Sequence, residues 1–354
     1  MTERIPLSSP DISDLEIEAV VGVLRTARLS LGPKLVEFER AMAAYVNAGH
    51  AVAISSGTAG LDLGLLALHI GPGDEVILPA FTFVAAANAI RHAGATPVFV
   101  DIEYATRNLS PAAVERAITP RTRAIMAVHT FGVPADMDAL GDIAQRHDLH
   151  VMEDACEALG AEYKNRKVGA LGAFGVFSFY PNKPITTGEG GVLVTNDAAL
   201  AATVKALRNQ GRTETDTWLQ PSIPGYNYRL PEMSCALGIA QLSRLDEILE
   251  RREAIARRYC EVLRELCPQV RTPLPVVANG RISWFAFVIE VPDRDRTQRE
   301  LAARGIGCRA YFPALCPLPV TNALAARTLA LPFFNRITEP QIQEVCETLA
   351  GLIA

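Results

Sequence analysis

AVAISSGTAGLDLGLLALHIGPGDEVILPAFTFVAAANAIRHAGATPVFVD, residues 51–101, alternates two hydrophobic patterns. AVAIS from Ala51, EVILP from Glu75 and TPVFVD from Thr96 are short apolar runs next to turn or charged residues, which predicts strands. Residues 58–69 and 83–92 between them read as helices. Strand, helix and strand in succession predict parallel pairing, because a crossover helix returns the chain to the same end of the sheet.

The pattern continues on the carboxyl side. RAIMAVH from Arg123, LHVMED from Leu149, FGVFSF from Phe174 and GVLVT from Gly191 bring the expected strands to seven, with a further helix at 136–146. The interval 183–191 is too short for a crossover helix, so the strands beside it are expected to be antiparallel or irregularly joined. From Pro231 to about Leu266 one long helical pattern, with Ala236, Ile239, Ala240, Leu242, Leu245, Ile248 and Leu249 at helical intervals, is expected to bridge two domains. A Pro-rich linker through Pro275, the strand-like WFAFVIEV, a helix near 297–304 and a last helix from Glu339 complete the reading. The expectation is an α/β fold: a large domain over 1–250 with an N-terminal helical segment and a seven-stranded, mainly parallel sheet, then a small α+β domain over 251–354.

Composition narrows the function. The 354 residues are 49% hydrophobic and 21% charged, which suits a globular chain. The net charge of −5 offers no footprint for a polyanion, so nucleic acid is not an expected partner. The start lacks the build of a signal peptide and no apolar stretch suits a membrane span, so no membrane association and a cytoplasmic address are expected. Seven scattered cysteines without a C-x-x-C pair, and six dispersed histidines, predict reduced thiols and no metal site.

Three places carry candidate chemistry. Ser55 to Gly60 joins a strand to a helix, where N–H groups and the hydroxyls of Ser56 and Thr58 can hold a phosphate, although Ser and Thr also cap helices routinely. Asp154 ends a strand, at the sheet edge where ligands bind in open parallel sheets, and equally could cap a turn or join an ion pair. Lys183 lies in Tyr180-Pro181-Asn182-Lys183-Pro184, held out of regular helix by two prolines and followed by the glycine-containing TTGEGG. It is either a solvated lysine or one that forms an imine.

At these residues the chain resembles the DegT/DnrJ/StrS family of sugar aminotransferases, through SSGTAGLDL, GDEVILPAFTFVAAANAI, HTFGVPADM, VMEDACEALGAEY, FSFYPNKPITTGEGG, LRNQGR, GYNYRLPEMSCALGIAQL and ALPFFN. The resemblance spans nearly the whole chain. It implies the aspartate-aminotransferase-like fold type I and pyridoxal 5'-phosphate as cofactor. Lys183 would hold that cofactor as an internal aldimine, Asp154 would keep its pyridine nitrogen protonated, and Phe83 would stack on its ring. Ser56, Gly57, Thr58 and Ser178 would surround its phosphate, and Glu157 would lie beside the cofactor near its phenolic oxygen. Asn227 would reach the phosphate of a neighbouring subunit, implying a homodimer with shared active sites. Arg229 and Tyr311 are carried over as substrate residues, with an ion pair and packing as their structural alternatives, and His129 is read as structural.

The expected reaction transfers an amino group from L-glutamate to a nucleotide-linked keto-sugar, with a 4-keto-6-deoxy sugar expected and a cyclitol ketone or 3-keto sugar as alternatives. The family's dehydratases carry histidine in place of Lys183. Cysteine desulfuration would require a reactive cysteine by the cofactor, a setting Cys308 and Cys316 lack, and a non-catalytic regulator is the third rival. Two departures stand out: Glu157, where many members have Gln or His, and Cys316, where many have His. The chain from Cys316 to Leu331 is also shorter than usual, which predicts a trimmed surface loop.

Overall fold

A computed structural model describes residues 4–213, 215–217, 219–273 and 280–353. The central sheet has seven strands: β1 (His50–Ile54), β2 (Glu75–Pro79), β3 (Thr96–Val100), β4 (Thr122–Val128), β5 (His150–Asp154), β8 (Phe174–Ser178) and β9 (Gly191–Thr195), with a small hairpin of β6 (Glu162–Tyr163) and β7 (Arg166–Lys167) between the fifth and sixth of these. Their order is β1-β9-β8-β5-β4-β2-β3. The pair joined by the short 183–191 interval is antiparallel, as is β9 with β1, so β9 alone runs against the others. The carboxyl ends of β1, β5 and β8 therefore share one edge with the start of β9.

Both faces of the sheet are covered, which is why its strands read as continuous apolar runs. Val52, Ile54, Val76, Met152, Phe174 and Leu193 pack under α3 (Gly57–Ala67), α4 (Ala85–His92) and α7 (Ala198–Arg208). The alternate residues face the other way. Ala51, Ala53, Phe177, Val192 and Val194 meet α2 (Pro33–Val46) and α8 (Glu232–Ser243), which also packs on α1 (Asp14–Leu24). Ile77, Ile125 and Val151 meet α5 (Pro111–Ala117) and α6 (Met137–His147).

A second core surrounds the antiparallel pair β10 (Phe287–Glu290) and β11 (Thr328–Leu331). It is built with α9 (Leu245–Leu266), α10 (Arg294–Ala303) and α12 (Glu339–Ile353). The short α11 (Pro319–Ala325) lies in the connection expected to be a trimmed loop, and the linker expected through Pro275 runs from 274 outside the described residues. Among the described residues no helix is long and apolar enough to cross a membrane.

The helix expected as one from Pro231 to Leu266 is two. Ser243 Oγ bonds back to the Ala240 carbonyl at 2.7 Å, and Arg244 leaves helical geometry at φ −107° and ψ 4° while its guanidinium reaches Glu16 at 2.9 Å. The break lets α8 lie on α1 and α2 while α9 turns away. Leu245, Ile248 and Leu249 still pack in the core beneath the sheet, whereas Ile255, Tyr259, Val262 and Leu263 pack in the second core, so α9 does join the two.

Candidate active site

Glycine brings α3 onto the sheet. Gly57, Gly60 and Gly64 share the helix face turned toward β8, and a methyl group at Gly60 would come within 2.7 Å of Val176. At Gly57 it would meet Cys156 Sγ at 2.7 Å and Ser178 Cβ at 2.9 Å. The first turn of α3 thus lies directly over the end of β8. Ser56 Oγ accepts the Ala59 N–H at 3.1 Å, so the capping alternative is realised at this residue. Gly57 and Thr58 open α3, where helix N–H groups have no intrahelical partner and anions are favoured.

The sheet edge there forms one wall of a cavity of about 400 Å³. Ser56, Gly57, Thr58, Phe83, Asp154, Glu157, Ser178, Lys183 and Tyr311 all line it. Asp154 is 8% exposed, and its Oδ1 accepts the Cys156 N–H at 3.1 Å, which fixes the carboxylate at the strand end. Glu157, also 8% exposed, accepts the Phe131 N–H at 2.9 Å. Burial pushes its carboxyl up to about 7, with the Asp154 charge adding to the rise, while Lys183 and the Phe131 N–H oppose it.

Lys183 sits on a tied loop. Its N–H bonds the Tyr180 carbonyl at 2.9 Å, Thr187 N–H bonds the Phe179 carbonyl at 3.0 Å, and Thr186 N–H bonds Gln241 Oε1 at 3.2 Å. Lys183 Nζ lies 4.1 Å from the centre of the Phe285 ring. Tyr311 stacks on Phe285 and Phe312, with ring centres 6.3 and 5.1 Å apart, so it both packs in the cluster that includes Phe81 and Phe131 and lines the cavity. Phe83 is 59% exposed because α4 begins at Ala85, two residues later than the sequence reading placed it, leaving the ring on a turn over the opening.

Asn227 and Arg229 lie outside the lining. Asn227 is exposed and its backbone bridges that of Asn209; Arg229 Nη1 bonds Asn209 Oδ1 at 3.0 Å and Gln210 Oε1 at 3.4 Å rather than a carboxylate. His129 is fully buried, with Nε2 3.0 Å from Glu153 Oε2 and Nδ1 accepting the Ala135 N–H, which makes it a strut between β5 and the loop at Ala135. Cys316 and Cys308 do not line the cavity. Cys156 does, but burial and then the Asp154 charge push its thiol well up, away from the nucleophilic thiolate.

Sequence reading missed Thr82, Tyr180, Asn182, Phe285 and Phe312, which also line the cavity. Asn182 had a local signal in its place beside Lys183, and its buried Oδ1 has no hydrogen-bond partner among the described residues. Phe285 had none: it lies two residues before β10 and packs with Phe81, Phe131 and Phe312, a cluster assembled from distant parts of the chain.

A model of the DegT/DnrJ/EryC1/StrS aminotransferase family matches residues 10–350. The chain is 40% identical to GDP-perosamine synthase of Caulobacter vibrioides, covering 98% of this chain and 97% of that one. It is 37% identical to the spore coat polysaccharide biosynthesis protein SpsC of Bacillus subtilis, covering 99% and 97%. Among solved structures, DesV of S. venezuelae superposes with a TM-score of 0.92 at 38% identity over 99% of this chain and 98% of that one. The PLP form of the putative sugar aminotransferase Spr1654 from Streptococcus pneumoniae gives 0.93 at 29% identity, covering 98% of each chain. The cavity suits that cofactor: a cradle that a single methyl group at Gly57 would fill, a fixed carboxylate across from it, an exposed aromatic ring and one amine. Sequence, fold and cavity agree, and the chain belongs to the DegT/DnrJ/EryC1/StrS aminotransferase family as a pyridoxal-phosphate-dependent sugar aminotransferase.

Proposed function

We propose that this enzyme takes the amino group of L-glutamate and delivers it to a nucleotide-linked keto-sugar, with a 4-keto-6-deoxy sugar as the acceptor, in two half-reactions at one site. The observation that carries the reading is the Lys183 amine, on a tied loop, opening into the same cavity as the Asp154 carboxylate and the first turn of α3. The names of the two relatives, one a GDP-perosamine synthase and the other a polysaccharide biosynthesis protein, support a nucleotide-linked amino sugar as product.

Pyridoxal phosphate, when bound, supplies an aldehyde that engages amines and a ring that accepts electrons. The chain's own residues do the rest. The N–H groups of Gly57 and Thr58 and the hydroxyl of Ser178 hold the phosphate, with Ser56 capping the helix that presents them. Asp154 keeps the ring nitrogen protonated, and Phe83 covers the ring. Lys183 would hold the cofactor through its amine and would serve as the base that moves a proton between carbons. Asn227 serves a second copy of the chain in a homodimer, and Arg229 supports its loop through Asn209 and Gln210 or meets the substrate there. Tyr311 borders the sugar. We read 1–250 as the cofactor-binding domain and 251–354 as the small domain, with α9 crossing between them.

The test is nitrogen transfer. With ¹⁵N-labelled L-glutamate and a panel of nucleotide-linked keto-sugars, mass spectrometry of the product is expected to show the label in the sugar and 2-oxoglutarate released. Loss of a hydroxyl without gain of nitrogen, or cofactor binding with no turnover of any acceptor, overturns the reading. Lys183→His is expected to abolish transfer.

A further inference from the structure

The chain that carries Tyr311 and Phe312 runs from Cys308 to β11, both in the second core, yet it is tied to the central sheet. The Leu315 N–H bonds the Ala80 carbonyl at 2.9 Å, one residue past β2. Asp101, the residue after β3, holds the start of α11: its Oδ2 accepts the Val320 N–H at 2.9 Å, and its Oδ1 accepts the Thr321 N–H at 2.9 Å and the Thr321 hydroxyl at 2.8 Å. Between these two ties lie only Cys316, Pro317, Leu318 and Pro319, where the prolines fix φ and leave the chain little slack.

The Asp101 bonds are not a local cap. Leu318 stands at the N-cap position of α11 and its side chain has no acceptor, so the N–H groups of the first turn are met instead by a carboxylate 219 positions before Val320. The Ile102 N–H, at 3.1 Å from Oδ1, fixes that carboxylate in turn. Ile102, Val320 and Leu324 pack with Phe81 and Phe312 in one apolar cluster, and Tyr311 packs against it. The ring centres of Phe81 and Phe312 are 6.0 Å apart, and Thr82 and Phe83, which follow Phe81, line the cavity as Tyr311 and Phe312 do. Two parts of the cavity wall therefore depend on one anchorage at the ends of β2 and β3.

We infer that Asp101 is a positioning residue for the sugar acceptor: by holding α11 against the end of β3 it keeps Tyr311, through Phe312, at the place on the cavity wall where the acceptor is gripped. The inference rests on the reading above, in which a nucleotide-linked keto-sugar is the acceptor and Tyr311 borders it. L-Glutamate is far smaller than that acceptor and needs only the end of the cavity at Lys183, so the two half-reactions respond differently when the tie is cut. Asp101 does not line the cavity and takes no part in proton movement. What it supplies is placement, and a displacement of about 1 Å caused far from the reacting atoms can cost roughly a hundredfold in rate.

Each half-reaction is followed by itself on full-length holoenzyme through the visible absorption of the cofactor, with L-glutamate and with the keto-sugar of the panel above that takes up nitrogen. Asp101→Ala is expected to raise the half-saturating concentration of the sugar about tenfold or more and to change that of L-glutamate less than about threefold. Asp101→Asn, whose amide oxygen can keep the bonds made by Oδ1, is expected to recover most of the loss. In a Tyr311→Ala background, Asp101→Ala is expected to shift sugar half-saturation by less than about threefold more, because the residue it acts through is gone. Equal changes for the two substrates, or the full effect in the Tyr311→Ala background, overturn the inference alone. An enzyme that aminates no nucleotide-linked keto-sugar overturns the reading beneath it and the inference together. If Asp101→Ala does not fold, Thr321→Val keeps the shape and drops the hydroxyl bond; a rise of about threefold for the sugar with L-glutamate unmoved is then expected. A lower melting temperature in that variant with sugar binding unmoved counts against the inference.

Discussion

At the scale of single residues, two carboxyl groups three positions apart in the sequence line one cavity, both 8% exposed. Asp154 was legible as a strand-end acid, but nothing in the sequence marks Glu157 as an acid whose pKa rises to about 7, because that rise comes first from burial, with Lys183 and the Phe131 N–H opposing it and the Asp154 charge adding to it, and burial depends on how the chain folds around the residue. The shift has a consequence for stability. The folded chain holds the Glu157 proton more tightly than the unfolded chain, whose carboxyl has the ordinary value near 4.5. This group's contribution to stability is therefore present in full below about pH 4.5 and is lost as pH rises through about 7. Urea denaturation of the cofactor-free chain is expected to show wild type losing ground to Glu157→Gln between about pH 5 and 8, by at most roughly 3–4 kcal/mol at about 1.4 kcal/mol per pKa unit. Parallel curves for the two proteins across that range would show that the folded and unfolded chains bind the Glu157 proton equally. Asp154→Asn belongs to the same scale: it removes the anion proposed to face the ring nitrogen and is expected to lower turnover by roughly a hundredfold or more while the cofactor is still captured at Lys183, as checked by kinetics and the visible band.

At the scale of elements, the glycines of α3 do two jobs that two substitutions can separate. Near the middle of the helix, a methyl group at Gly64 would overlap the Phe174 ring in the core, far from the site; at the first turn, one at Gly57 would fill the cradle against Cys156 and Ser178. Gly64→Ala is expected to cost about 1–3 kcal/mol in urea denaturation and leave cofactor affinity of the folded protein unchanged. Gly57→Ala is expected to raise the cofactor dissociation constant about tenfold or more, measured by fluorescence titration, because the first turn must move off β8. If both variants changed stability and affinity together, the helix would act as one rigid piece and the division would be wrong. The spacing of these glycines is in the sequence, yet their meaning depends on which strand lies beneath them. For the same reason the β5 and β8 strand ends were legible from apolar runs closed by turn residues, while the break at Arg244 was not: the α8 pattern continues smoothly into α9, and what interrupts it is a contact with Glu16, more than two hundred residues earlier. The very short β11 and α11 fell below the length at which periodicity says anything.

At the scale of the whole molecule, the site described so far leaves two of its expected residues unused. Asn227 is exposed and lies outside the cavity of its own chain, while Phe83 and Tyr180 at the cavity wall, together with Tyr226 beside Asn227, expose 59%, 51% and 41% of their surface. Large apolar side chains exposed around a polar opening are what a surface closed by a second copy would present. A two-fold dimer is self-complementary, so each copy would both lend Asn227 and receive it. The proposed sharing then makes a prediction about mixtures. Lys183→Ala chains lack the amine but can lend Asn227; Asn227→Ala chains keep the amine but lend nothing. In a heterodimer one site receives both defects and the other neither, so equal mixing with free exchange, giving half heterodimers, is expected to restore about a quarter of wild-type activity from two nearly inactive parents. Native mass spectrometry on chains of distinguishable mass establishes that exchange has occurred. Heterodimers formed in full with activity no greater than the average of the parents would mean that Asn227 serves its own chain, and the shared site would have to be given up.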